Sequence, residues 1–253
     1  MATTHNPKVV TDNLEICLDP KDPNSLASTS STTIKSTGRR LSNGVPASYS
    51  LQNGAYATGN SFRSRYVSSD GVNDKINVGS GMFRSDIKAF TLECWVYPQA
   101  TGNSIYTLGK ARGALEQRSI DLYDNGTNFY FYLTNTEEGV FPVAASVATL
   151  TMSYPQVNGG YTSRWHHIVV TCESTTATNG VKVYAQGELH DQGTMSSYSH
   201  NYGNDGKNFE LFGSSSSSYG FQGRSGLFRY YSSVLTADEV MGNYNSSKSL
   251  YGF

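Results

Sequence analysis

Two histidines, a thiol and a carboxylate stand close together in RWHHIVVTCE, residues 164–173. Such residue types ligate metals and build nucleophiles, so their spacing has to be weighed first. In an extended strand successive side chains point to opposite faces. His166, Ile168, Val170 and Cys172 then share one face, and Trp165, His167, Val169 and Thr171 the other. Adjacent imidazoles diverge on such a strand, whereas chelation needs them to converge, and the spacings H-x-x-x-H and C-x-x-C occur nowhere in the chain. The segment reads as a buried strand whose thiol behaves as a small hydrophobe. The same parity puts Ile168 on the core face and His167 nearer a less buried surface, so Ile168→Asp is expected to cost more stability than His167→Ala.

The carboxylates give no better constellation along the chain. Glycoside hydrolysis needs two of them flanking one bond. Asp121 and Asp124 lie an odd number of residues apart and diverge on a regular strand, as do Glu137 and Glu138. Asp70 and Asp74 have compatible parity but bracket a glycine turn. There is no G-x-S-x-G elbow, no phosphate-cradling G-x-x-x-x-G-K and no dinucleotide fingerprint. No catalytic and no cofactor-binding residue is expected.

The elements that would position these residues are strands. KVVTDNLEICLD alternates at Leu14, Ile16 and Leu18, and FTLECWVYP sets Phe90, Leu92, Cys94 and Val96 against Thr91, Glu93, Trp95 and Tyr97. SRYVSSDGVNDKINVG reads as strand, tight turn and strand about Asp70-Gly71. Further strands are expected at SIYTLGK, QRSIDLYD, NFYFYLTN, HHIVVTCE, VKVYAQ, NFELFGS and GLFRYYS. Residues 25–59 read as a loop-rich excursion with short strands at most, 142–161 as an insertion with a loop at TMSYPQVNGGY, and GSSSSSYG as a flexible loop. Only LTADEVMGNYNSSK looks helical. Thr236 followed three residues later by Glu239 forms a capping box that should start one or two turns.

At 253 residues the chain is expected to form one domain over 1–253. With 15% charged residues and a net charge of −1 it has no positive excess for a nucleic-acid backbone. Neither a signal-peptide core nor an apolar run long enough for a membrane span is visible, which leads to the expectation of a soluble chain made in a cytoplasm. Cys17, Cys94 and Cys172 are an odd set in apolar strand contexts and read as buried free thiols. Tyr130 and Tyr132 alternate with Phe129, Phe131 and Leu133; if the Phe face is core, the tyrosines serve cross-strand pairing, sugar stacking or contact with another subunit.

In order, these segments resemble the laminin G-like branch of the concanavalin A-like lectin and glucanase superfamily, most closely its stand-alone versions in tailed bacteriophages. VTDNLEICLDPKDPNS resembles the family's opening strand and turn, YVSSDGVNDKINVG its "F-D-G-V-D-D-Y-V" hairpin, and FTLECWVYP its "F-T-I-S-A-W-V-K-P" strand. RWHHIVVTCE resembles "W-H-H-V-A-V-T", VKVYAQGEL "V-K-L-Y-V-N-G", and FQGRSGLFRYYSSVLTADEVMGNYN the closing strand and helix. Gln186 departs from the usual Asn before Gly187, which predicts a longer or reshaped turn, and Asn73 replaces an acidic residue.

The resemblance implies an all-β fold: a two-sheet antiparallel jelly-roll sandwich with a short C-terminal helix. It implies a non-enzymatic virion structural protein, displayed as a head decoration, fibre or neck component, homo-oligomeric and in contact with other virion proteins. The alternative is a lectin for host-surface glycans, and the third reading a glycoside hydrolase, although the laminarinase pattern E-x-D-x-E is missing. No cofactor is required. Asp70 and Asp74 are weak calcium candidates, turn formation being their plainer role, and Tyr130 and Tyr132 are the candidates for glycan or subunit contact.

Overall fold

Period-two alternation is realised as two stacked antiparallel sheets. The computed structural model describes residues 9–38, 48–52, 55–58, 64–79, 89–100, 104–109, 118–124, 128–134, 146–153, 162–173, 180–193, 209–212 and 220–253. The strands are β1 (Leu14–Leu18), β2 (Thr33–Lys35), β3 (Ser48–Gln52), β4 (Tyr56–Thr58), β5 (Tyr66–Asp70), β6 (Lys75–Gly79), β7 (Phe90–Pro98) and β8 (Ser104–Gly109). They continue with β9 (Arg118–Asp124), β10 (Asn128–Thr134), β11 (Ser146–Ser153), β12 (His166–Cys172), β13 (Val181–Ala185), β14 (Glu188–Gly193), β15 (Phe209–Leu211) and β16 (Gln222–Tyr231). A single α-helix among the described residues, α1 (Ala237–Ser247), follows.

The first sheet runs β14-β13-β12-β7-β16-β5-β4, with β1 on the same edge of β16 as β5. The second runs β11-β10-β9-β8-β15-β6-β3-β2. Their facing sides make one apolar core. Phe90, Leu92, Cys94 and Val96 of β7 and Ile168, Val170 and Cys172 of β12 belong to the same cluster as Phe129 and Phe131 of β10 and Phe209 and Leu211 of β15. Each such side chain contributes about 1.5–3 kcal/mol by leaving water.

A second core lies on the other side of the first sheet. Trp95, Val169, Tyr184 and Tyr231 point away from the inter-sheet core and pack with Leu235, Val240 and Tyr251 of the C-terminal segment. The centre of the first sheet is thus buried on both faces, and β7 and β12 carry almost no exposed residue. The expected capping box is present: Thr236 Oγ1 accepts from the Glu239 amide at 3.3 Å, and Glu239 Oε2 accepts from the Thr236 amide at 2.8 Å. The helix runs 11 residues, longer than the one or two turns expected. Packing against Trp95 extends it, since short helices gain stability from tertiary burial more than from propensity. None of the described helices is long and apolar enough to cross a membrane.

Three local expectations are corrected. The Asp70-Gly71 turn does not close a hairpin: β5 pairs with β4 and β16, whereas β6 pairs with β3 and β15, so the turn carries the chain from one sheet to the other. Turn chemistry fixes the reversal but not the partner. The insertion expected over 142–161 contains strand β11, which pairs along the whole of β10; residues 154–161 lie outside the described set, as do 213–219 of GSSSSSYG. The β13–β14 turn is not lengthened by Gln186. Ala185 pairs with Glu188 across two residues, both at positive φ, 53° for Gln186 and 85° for Gly187. The left-handed conformation costs Gln about 1–2 kcal/mol. Against that cost, Gln186 Oε1 accepts from the His167 amide at 3.2 Å, and the Gln186 amide donates to the His167 carbonyl at 3.0 Å.

Gly226 sits at the register shift of β16, where a Cβ would meet the Tyr251 ring at 2.6 Å. That close approach lets the Leu227 amide donate to Tyr251 Oη at 2.8 Å and lets Tyr251 stack on Trp95 at 4.2 Å. Gly226→Ala is therefore expected to displace the C-terminal segment and to destabilise the protein by about 1–3 kcal/mol. Urea unfolding followed by tryptophan emission measures this, and an unchanged midpoint would contradict the contact.

Candidate functional site

The side chains nearest to a catalytic arrangement meet between the first sheet and α1. Strand β7 contributes Glu93, β12 contributes His167 and β16 contributes Arg229, three residues brought side by side by the register His167 to Trp95 and Arg229 to Glu93. Glu93 Oε1 accepts from Arg229 Nη1 at 2.8 Å and from His167 Nε2 at 3.1 Å. Its Oε2 accepts from Asn243 Nδ2 of α1 at 2.8 Å, and that amide also reaches Tyr231 Oη at 2.9 Å. The parity that divided His166 from His167 holds, since His166 lies edge-on to Phe129 of the second sheet and His167 lies against Trp95. The expected low burial of His167 is wrong: its side chain has no exposed surface, because α1 covers that face.

Burial opposes ionisation of Glu93, but Arg229, His167 and Asn243 outweigh it and hold the carboxyl below its ordinary value of 4.5. Burial acts to discharge Arg229, and Glu93 overrides it, keeping the guanidinium charged. Burial pushes up the Tyr231 hydroxyl, with the Glu93 charge adding to it. The result is an internally neutralised Glu93–Arg229 pair, with no exposed surface on the side chains of Glu93 and His167. The thiols are equally withdrawn: Cys17, Cys94 and Cys172 are free and buried, and burial pushes Cys172 up to about 12. None is poised as a nucleophile.

Asp70 and Asp74 converge on their own turn. Asp70 Oδ1 accepts from the Val72 amide and Asp74 Oδ2 from the Asp70 amide, each at 2.8 Å. Burial raises the Asp74 carboxyl, whose Oδ1 is enclosed without a partner. Calcium takes about six to eight oxygens. Among the described residues no group of three or more His, Cys, Asp or Glu gathers anywhere, so this pair fits a turn better than a cation cradle.

The second sheet turns a different surface outward. Phe129 and Phe131 are core, so Tyr130 and Tyr132 fall on the outer side of β10; Tyr130 is half-buried and the Tyr132 side chain lies outside the described set. Register then assembles what no single strand shows. Asn77, Glu210, Thr107, Asp121, Tyr132 and Thr149 occupy one transverse row over six strands, and Ser104, Tyr123, Tyr130 and Thr151 the next. Asp121 and Glu210 stand two strands apart, roughly 10 Å between backbones. Glu210 is buried and paired with Lys75 at 2.6 Å. Parity within strands missed Asp121 and Glu210 as neighbours on one face, since only the strand order β9-β8-β15 brings them there.

Three outcomes are expected. Glu93→Ala should destabilise by about 3–5 kcal/mol, because it strands a buried Arg229, whereas replacing both residues with leucine should recover most of the loss. Since the folded carboxyl titrates lower than the unfolded one, its contribution is present above pH 4.5 and fades as pH falls through the folded value. The wild type should lose stability steeply on acidification and the double variant less so, as acid-to-neutral urea titrations will show. Calcium and EGTA are expected to give the same Tm; a rise in calcium that Asp74→Asn abolishes would assign the enclosed Asp74 oxygen to a cation.

No curated protein matches the chain in sequence. Among solved structures, the binding domain of botulinum neurotoxin serotype D superposes with a TM-score of 0.60 at 15% identity, over 93% of this chain and 52% of that one. Trypanosoma rangeli sialidase gives 0.62 at 14%, over 100% and 37%. Domain 4 of an extracellular arabinanase from Geobacillus stearothermophilus, in complex with arabinotriose, gives 0.54 at 16%, over 93% and 100%. The chain spans about half the length of the toxin binding domain and a smaller share of the sialidase. At these identities the likeness is one of fold. The sequence model described as concanavalin A-like lectin/glucanases superfamily matches residues 70–241, more than half of the chain, and the protein belongs to that superfamily.

Proposed function

We propose that the protein is a carbohydrate-binding module without catalytic activity, and that the outer face of its second sheet is the contact surface. The observation that carries this reading is the pair of transverse rows, in which Tyr123, Tyr130 and Tyr132 take register positions in line with or next to those of Asp121, Asn77 and several Ser and Thr residues. Aromatic faces cover the apolar side of a sugar ring while polar groups meet its hydroxyls. The arabinanase domain offers support in kind, being a similar fold in complex with a sugar. Catalysis is the weaker reading. The most reactive-looking carboxylate, Glu93, is sealed beneath α1, and Glu210 is buried against Lys75.

A second reading concerns where the module works. Six motifs in order resemble phage stand-alone domains, which favours display on a virion as a decoration, fibre or neck component, in several copies and beside other virion proteins, after synthesis in a host cytoplasm. The two readings are compatible, since a displayed module can also adhere.

A glycan array followed by calorimetry tests the first reading. Tyr130→Ala is expected to weaken the best neutral ligand about tenfold, or ~1.4 kcal/mol, with Tm unchanged. Absence of any glycan signal, or cleavage of an oligosaccharide on prolonged incubation, would refute it. Mass spectrometry of purified particles tests the second, and absence of the chain from particles would end it.

A further inference from the structure

The outward face of β16 that carries Arg229 also carries Arg224, and the two guanidiniums are treated differently. Arg229 is buried on Glu93. Arg224 stands opposite Tyr97 of β7 and Ser68 of β5, with its Cζ 4.6 Å from the Tyr97 ring centre and 4.8 Å from that of Tyr66. The three side chains are half-buried, and Trp165, also half-buried, lies edge-on to Tyr97 at 5.5 Å. Among the described residues Arg224 meets no carboxylate and no hydrogen-bond acceptor.

A guanidinium flanked by rings from the strands on both sides of its own is restricted in its rotamers yet keeps its N–H fork unfilled. That fork matches a carboxylate bidentately, and its ordering cost is met before any ligand arrives. The rings hold the cation through their faces without cancelling its charge. No peptide backbone can add here, because β5, β7 and β16 are each paired on both sides near this point. The neighbouring side chains are instead aromatic.

We propose that Tyr66, Arg224 and Tyr97 form a receptor for the carboxylate of an acidic sugar, with Tyr97 and Trp165 taking the apolar face of its ring. The receptor rests on the carbohydrate reading but not on the tyrosine face of the second sheet, which lies on the opposite side of the sandwich. Hexuronates and sialic acids share the required chemistry, a carboxylate on a pyranose ring.

The test uses the whole chain against three panels: hexuronate oligosaccharides, sialylated oligosaccharides, and the same hexuronates after reduction of their carboxyls to alcohols. Binding of either acidic panel, weakened at least about tenfold by carboxyl reduction and by Arg224→Gln, is expected. Arg224→Lys should restore only part, because an ammonium lacks the fork. Tm of the variants reports folding, and Tyr130→Ala should leave this binding intact. Glycan binding that ignores both carboxyl reduction and Arg224→Gln would overturn the receptor and leave the proposed function standing. Failure of every glycan would overturn both, and stronger binding of a poly-glutamate peptide than of any sugar would overturn the assignment to saccharides.

Discussion

An ionised carboxylate with no exposed surface has to be neutralised from within, and Glu93 imposes that requirement on residues far apart in the chain. Arg229 lies 136 positions away and Asn243 150, yet both are within 2.8 Å of its oxygens. Leaving either oxygen unmet would cost more than the net worth of a single hydrogen bond, because desolvation is incurred in full whether or not a partner is supplied. The registers of β7, β12 and β16 and the docking of α1 are therefore coupled: each must be right for the charge to be tolerated. Apolar packing around Trp95, which stacks on Tyr251 and donates from its indole to Ser247 at 3.1 Å, supplies the attraction that seats the helix; the polar network makes one seating acceptable.

This closure divides the surface by use. The inner faces of both sheets are core, and much of the outer face of the first sheet is covered by the C-terminal segment. Among the described residues, Tyr66, Tyr97 and Arg224 of the first sheet and Tyr130 on the outer side of the second stay half-buried, and these two places are the proposed contact surfaces. Both lie on strands whose backbone is committed to the ladder, so side-chain substitution there changes the contact surface while leaving the pairing intact.

Alternation is enough to read most of the longer strands, the separation of His166 from His167 and the core faces of β7 and β12, because a period of two is a property of one strand. The capping box was equally local, and Thr236 and Glu239 behave as their spacing implies. What alternation does not reach is what is decided between elements. The Asp70-Gly71 turn looks the same whether its strands pair with each other or enter different sheets. His167 seems destined for a less buried face until a helix 70 positions later covers it. Asp121 has no same-face acidic neighbour on its own strand, and gains Glu210 only through the order β9-β8-β15. In SVATLTMS a good strand alternation at Val147, Thr149 and Thr151 against Ala148, Leu150 and Met152 was present but hidden by the loop-like residues after it.

The two arginines of β16 show why buried chemistry and binding chemistry should be separated in such a fold. Both project from the same face of one strand, and both have a guanidinium fork. Arg229 is enclosed, so it must be given an anion by the protein itself, and Glu93 is that anion. Arg224 is half in water, which solvates its edges at little cost, so the protein need supply only the rings that orient it. A charge fully satisfied inside has nothing left with which to recognise a partner. A charge oriented but unfilled retains its capacity, and exchange of water for a carboxylate at that fork gains most when the guanidinium is already held in place. The paired histidines and the neighbouring thiol, which look most catalytic in the linear chain, are thus the ones the fold withdraws, and the proposed recognition falls to residues whose significance appears only when strands are placed side by side.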